Sequence, residues 1–330
     1  MCIRDSLLIA LVALIAATSM GSSAVSSADA VETAPCLACH VDTTLITGKE
    51  TAWAESGHGT GTAYLRGTAA GCAGCHSGGG FSDMIAATMP GTSPNPSLVT
   101  AGDPDPTRQD CRACHEIHTS YTGLDWALET TTAVDLYAIP GNTFDGGKGN
   151  LCASCHQPRR DFPTAVGGVI SGISSHWGPH HGPQSSMMLG IGGAGAAAAG
   201  TPAAHYSAVE DTCVTCHMGS GDNHSYEPEV STCTSCHAGA ENLDINGVQT
   251  AVQAKLDTLK PLLVNAGVLA CSVDEEGVES CHASVSSAPE AEAQALWNYI
   301  YVANEDGSLG VHNADYTNAL LDASIASMTP

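Results

Sequence analysis

Six times the chain sets two cysteines, two residues apart, directly before a histidine. The copies are CLACH (Cys36, Cys39, His40), CAGCH (Cys72, Cys75, His76), CRACH (Cys111, Cys114, His115), CASCH (Cys152, Cys155, His156), CVTCH (Cys213, Cys216, His217) and CTSCH (Cys233, Cys236, His237). Two thiols on one tight turn can form thioethers with the two vinyl groups of a haem, while the next side chain directs an imidazole onto the iron. A lone CxxC is equally a redox dithiol or half of a zinc site. Neither requires histidine after the second cysteine in every copy, so the spacing predicts covalently attached haem c.

The histidines add to this. Of the 15 in the chain, six close the motifs, and His282, which follows Cys281, would be a seventh proximal ligand. The rest are His58, His118, His176, His180, His181, His205, His224 and His312. A haem iron gripped on both faces takes one imidazole from each group. His115 and His118 are too close in sequence to face each other across one iron and must serve different ones. In SHWGPHHGPQ (175–184), His180 and His181 point in opposite directions if extended, which leaves one to ligate and the other as a spare.

CSVDEEGVESCH (271–282) ends like the six motifs but spaces its cysteines widely. It can attach a seventh haem through Cys271 and Cys281 with the acidic insert looped out, or through Cys281 alone, with Val278 at the usual first-cysteine position. It can also close as a disulfide, which an exported protein permits. The histidine supply favours seven haems, with six as the minimum.

The surrounding elements must hold these groups. Residues 1–30 read as a signal peptide: an apolar run from Leu7 to Ala17, then Ala28-Asp29-Ala30 as the cleavage site. The opening MCIRDS resembles translated adaptor sequence, so the natural start is expected to differ. Residues 31–246 are rich in Gly, Pro, Ser and Thr, and only 5% of the whole chain is aromatic, too little for an ordinary core of this size. Macrocycles would supply the missing apolar interior. Residues 247–330 differ: Val248, Val252, Leu256, Leu259 and Leu263 recur at helical spacing, and PEAEAQALWNYIYVAN and NADYTNALLDASIASM read as two more helices. The expected fold is mostly α with extensive irregular loops, wrapped around a chain of covalent haems, with little or no β-sheet.

A formal net charge of −24 excludes nucleic acid as a natural partner and suits a basic or multihaem redox protein. No run after the leader is long enough to span a bilayer. Export predicts a periplasmic or extracellular location.

The CxxCH series, SHWGPHHGPQ, CVTCHMGSGDNHSYEP and the segment from Trp297 to Ile325 resemble bacterial exported multihaem c-type cytochromes. GVHN (310–313) is similar to the C-terminal region of cytochrome c nitrite reductases, a resemblance that implies an axial role for His312. Their lysine-bearing C-x-x-C-K motif is absent here, which speaks against nitrite reduction. The resemblance implies electron transfer through bis-histidine low-spin haems. A multihaem reductase of a small nitrogen or sulfur oxoanion is the enzymatic alternative, and a protomer that self-associates into an extracellular cytochrome filament is the structural one.

Overall fold

The computed structural model describes residues 44–120, 125–219, 223–275 and 277–329. Residues 1–30, read above as a signal peptide, and Cys36, Cys39 and His40 lie outside the described residues. The fold is mostly helical, 44% helix against 8% strand. The helices fall into two kinds.

Between Thr44 and Gly247 most helices are single turns joined by loops. Two are longer: α1, Thr44–Glu55, and α2, Gly78–Ala87. Ser77 caps α2, accepting from Gly80 N–H while its hydroxyl bonds to Asp103, as expected of serine at a helix start. Outside residues 162–194, apolar packing among the described residues here is limited to two small groups. Phe81, Met84, Val99 and Leu151 form one; Val134, Leu136, Phe144 and Met188 form the other.

The C-terminal part has an ordinary core. Helix α3, Val248–Asn265, buries Val252, Leu256, Leu259 and Leu263, spaced four, three and four residues apart and so on one face. They pack with Leu296, Trp297 and Ile300 of α4 (Glu290–Ile300) and with Leu320 and Leu321 of α5 (Ala314–Met328). Each of these is at most 4% exposed. Asn313 starts α5 by accepting from Tyr316 N–H at 3.1 Å. Residues 162–194 join the same core: Trp177 packs edge-on to Trp297, ring centroids 5.2 Å apart, and Phe162 meets both.

Three two-stranded antiparallel sheets complete the fold: β1 (Val134–Asp135) with β2 (Thr143–Phe144), β3 (Val169–Ser171) with β6 (Ser287–Pro289), and β4 (Leu269–Val273) with β5 (Glu279–Ala283). The β4–β5 hairpin was not expected. Its loop is held by Asp274, whose carbonyl accepts from Gly277 N–H and whose carboxylate accepts from Val278 N–H at 2.7 Å. Gly277 takes a positive φ of 83° there, which glycine adopts without steric cost.

Candidate metal centres

In the described CxxCH copies the backbone closes one helical turn from the first cysteine to the histidine. His76, His115, His156 and His237 each donate their N–H to the carbonyl of the first cysteine of their motif, at 2.8–2.9 Å. Cys213–His217 is itself a helical turn. Residues three and four apart share a helix face, so both thiols and the imidazole of each motif sit on one side. Asp110 caps the turn at Cys111, accepting from Arg112 N–H at 2.9 Å.

Five motif histidines each meet one histidine from outside the motifs. The ring centroids lie 6.0 Å apart for His76 and His180, 6.1 Å for His237 and His205, and 6.2 Å for His156 and His58. They lie 6.2 Å apart for His217 and His312 and 6.4 Å for His115 and His224. Two imidazoles bound on opposite sides of one metal through bonds of about 2.0 Å, each ring centre about 1.2 Å behind its ligating nitrogen, would have centroids about 6.4 Å apart. All five pairs match that span, and four of them join residues far apart in the sequence. The donor set therefore fits a six-coordinate haem iron, with the motif thiols beside one of its two imidazoles.

The other ring nitrogen of several of these histidines is already engaged. Nδ1 meets the carbonyl of Trp126 at 2.9 Å for His115, of Val311 at 2.9 Å for His205 and of Tyr226 at 2.8 Å for His217. His156 Nδ1 meets Gln184 Oε1 at 3.0 Å and His312 Nδ1 meets Asp306 Oδ1 at 2.7 Å. A donor bond at Nδ1 fixes the tautomer that leaves Nε2 free for a metal. Burial, and then the facing His156, lowers the His58 pKa to about 4. Burial, and then His181, does the same for His180. Burial also lowers His76, His115 and His156. All five are thus neutral near pH 7, the form that binds metal. At His312 burial works the same way, but the Asp306 carboxylate overcomes it and raises the pKa.

The chain is strained where it supplies these groups. His180 has φ 87° and Tyr226 φ 60°, left-handed values uncommon for residues other than glycine and concentrated at functional sites. The loop carrying His180 is clamped from two sides. Arg159 N–H bonds Pro179 O at 2.8 Å, and Gln184 Nε2 bonds the carbonyls of Glu305 and Asp306 at 3.2 Å. Those two acids end a π-helical segment, Tyr301–Asp306, a distortion often found at functional sites.

The centres touch one another. Cys155 Sγ lies 3.9 Å from Gly74 O within CAGCH, and Cys213 Sγ lies 3.9 Å from Gly149 O just before CASCH. That second approach requires glycine, because a Cβ at position 149 would stand 2.1 Å from Thr212 Oγ1. The Tyr226 ring lies 4.9 Å from His58 and 6.2 Å from His224, while its carbonyl holds His217. His205 is held by the carbonyl of the residue preceding His312.

His118, His176, His181 and His282 are not members of these five pairs. His181 Nδ1 meets Glu305 at 2.7 Å, so of the adjacent His180 and His181 only His180 faces a motif histidine. His176 is exposed, and its carbonyl accepts from Arg160 at 2.8 Å.

The expectation of a seventh haem at Cys271, Cys281 and His282 is corrected. Hairpin register sets Cys271 directly opposite Cys281, Cα atoms 4.0 Å apart, and a disulfide joins them. Both sulfurs are thereby consumed. Strand alternation then turns His282 away from buried Cys281 to an exposed position. Val273 and Val278 flanking an acidic, glycine-bearing turn were the available signal for a hairpin.

Among the described residues no helix is long and apolar enough to cross a membrane. No protein family, curated protein or solved structure is matched by this chain.

Proposed function

We propose that this protein is an exported six-haem c-type cytochrome that carries electrons one at a time. The single observation that supports this most is the set of five histidine pairs, each a motif histidine and a distant partner, all at the span one iron requires. Cys36, Cys39 and His40 supply the sixth attachment site by sequence. The histidines outside the five pairs, His118 among them, are the candidates for its second ligand.

Haem iron supplies a one-electron ferric–ferrous couple. The paired imidazoles would hold the iron from both sides, which would leave no position for a substrate and limit movement between oxidation states. This favours a carrier over an oxoanion reductase. Nδ1 bonds to backbone carbonyls hold the rings still, and second-shell bonds of this kind tune potential. Contacts between Cys155 and the CAGCH turn, between Cys213 and Gly149 ahead of CASCH, and through Tyr226 keep neighbouring centres close enough for stepwise transfer. The acidic surface suits a basic redox partner. Export follows from the leader and from the disulfide, which persists in an oxidising compartment.

The test is holoprotein from a host competent in cytochrome maturation. Intact mass should show six haems, and paramagnetic resonance of the oxidised protein should show only low-spin iron, in two classes. Crossed ligand planes, as in His58–His156 (65°), His76–His180 (71°) and His205–His237 (80°), give strongly anisotropic signals. Less steeply crossed planes, as in His115–His224 (34°) and His217–His312 (38°), give rhombic ones. A colourless folded product, or dominant high-spin iron, would overturn the reading.

A further inference from the structure

The centres differ in what stands behind their histidines. For His115, His205 and His217 it is a backbone carbonyl, and for His156 an amide oxygen, all neutral. For His312 it is the carboxylate of Asp306, at 2.7 Å, with that side chain 0% exposed. The second Asp306 oxygen accepts from Ser308 N–H at 3.2 Å and Ser308 O–H at 2.5 Å, and His312 N–H in turn donates to Ser308 Oγ at 3.2 Å. Aspartate, serine and histidine thus form a closed cluster at the end of the π-helical segment.

The neighbouring acid is a useful contrast. Glu305 is almost as buried, but its partner His181 belongs to no pair, and Glu305 raises the His181 pKa. A proton on His181 can neutralise Glu305. Asp306 instead faces the ring of His312, which pairs with the motif histidine His217, so its negative charge acts on that centre.

We propose that Asp306 is a positioning residue that sets the potential of the His217–His312 centre, making it the last of the five described centres to be reduced. This rests on the haem reading above. A carboxylate accepting from Nδ1–H makes the imidazole a stronger donor, and an anion in a poorly screened site favours ferric over ferrous iron. Both effects have the same sign. Electrons would then populate the other centres first, and this centre would be a step upward in energy between His58–His156 and His205–His237.

The experiment is an optical redox titration of the holoprotein with dithionite as reductant. A His312→Met variant, which exchanges imidazole for thioether and raises that centre's potential, identifies its step. In the wild-type protein this step should be the lowest. Asp306→Asn should raise the same step, changing the ferric-to-ferrous ratio at a fixed potential about tenfold, or about 59 mV for one electron, and leave the other steps in place. An unmoved lowest step, a different step moving, or all steps moving together would overturn the proposal. Should Asp306→Asn fail to load six haems, Ser308→Ala decides. Freed of the competing hydroxyl donor, the carboxylate should push the step lower, and no movement would sink the idea. Loss of haem from the wild-type protein would instead remove the reading on which the proposal rests.

Discussion

The core under α3, α4 and α5 and the region of histidine pairs reach order by different means. The first buries Leu259, Leu263, Leu296, Trp297, Leu320 and Leu321 at 0% exposure, and each large apolar side chain contributes about 1.5–3 kcal/mol. The second has two small apolar groups, mostly single-turn helices and paired histidines. Its apolar content does not repay the entropy of ordering so much loop. One region has the core to fold from its amino acids alone, the other on the proposed function would be completed by bound groups, and the comparison shows that composition must be read by region.

Withholding haem separates the two most sharply. Chain made without cytochrome maturation should lose protection across residues 44–160 and 203–245, while α3 to α5 keep theirs; hydrogen exchange resolved by peptide measures this. Uniform protection in both regions would erase the distinction. Trp297→Ala attacks the other side. Removing this buried indole should cost about 3–5 kcal/mol of stability, read from the denaturant midpoint of the α3–α5 region, with the haem spectrum unchanged. The smallest effect is expected at the boundary between the two kinds of cysteine. Replacing Cys271 and Cys281 together by serine should cost about 2–3 kcal/mol, the range for a short disulfide loop, with no change in haem count by intact mass. Loss of one haem would return that hairpin to the metal-binding region.

Much of this was legible in the sequence. The apolar spacing from Val248 to Leu263 and the acidic start at Glu290 describe α3 and α4 well, because those helices are held by their own amphipathic faces. The CxxCH turns were legible because their chemistry fixes their spacing. Partner choice was not: His58 meets His156 and His205 meets His237 through tertiary packing, which no local pattern records. Asp306 escaped notice because an acid near a surface-like GSLGVHN stretch carries no sign that it will be buried. The hairpin was misread because Cys281-His282 imitates the end of a motif, while the pairing that opposes Cys271 to Cys281 depends on strand register.

The direction in which each pair spans the chain bears on how the protein is made. His58 precedes His156 and His205 precedes His237, so these two partners emerge before the motif histidine they meet. His180, His224 and His312 follow the motif histidines they meet. On the proposed function, a polypeptide delivered from its N-terminus would leave three irons with one face open, exposed to capture by whichever imidazole arrives first. Slow maturation, with wrong partners exchanged before the right ones are locked, would be the cost of threading such a chain back through its own cofactors.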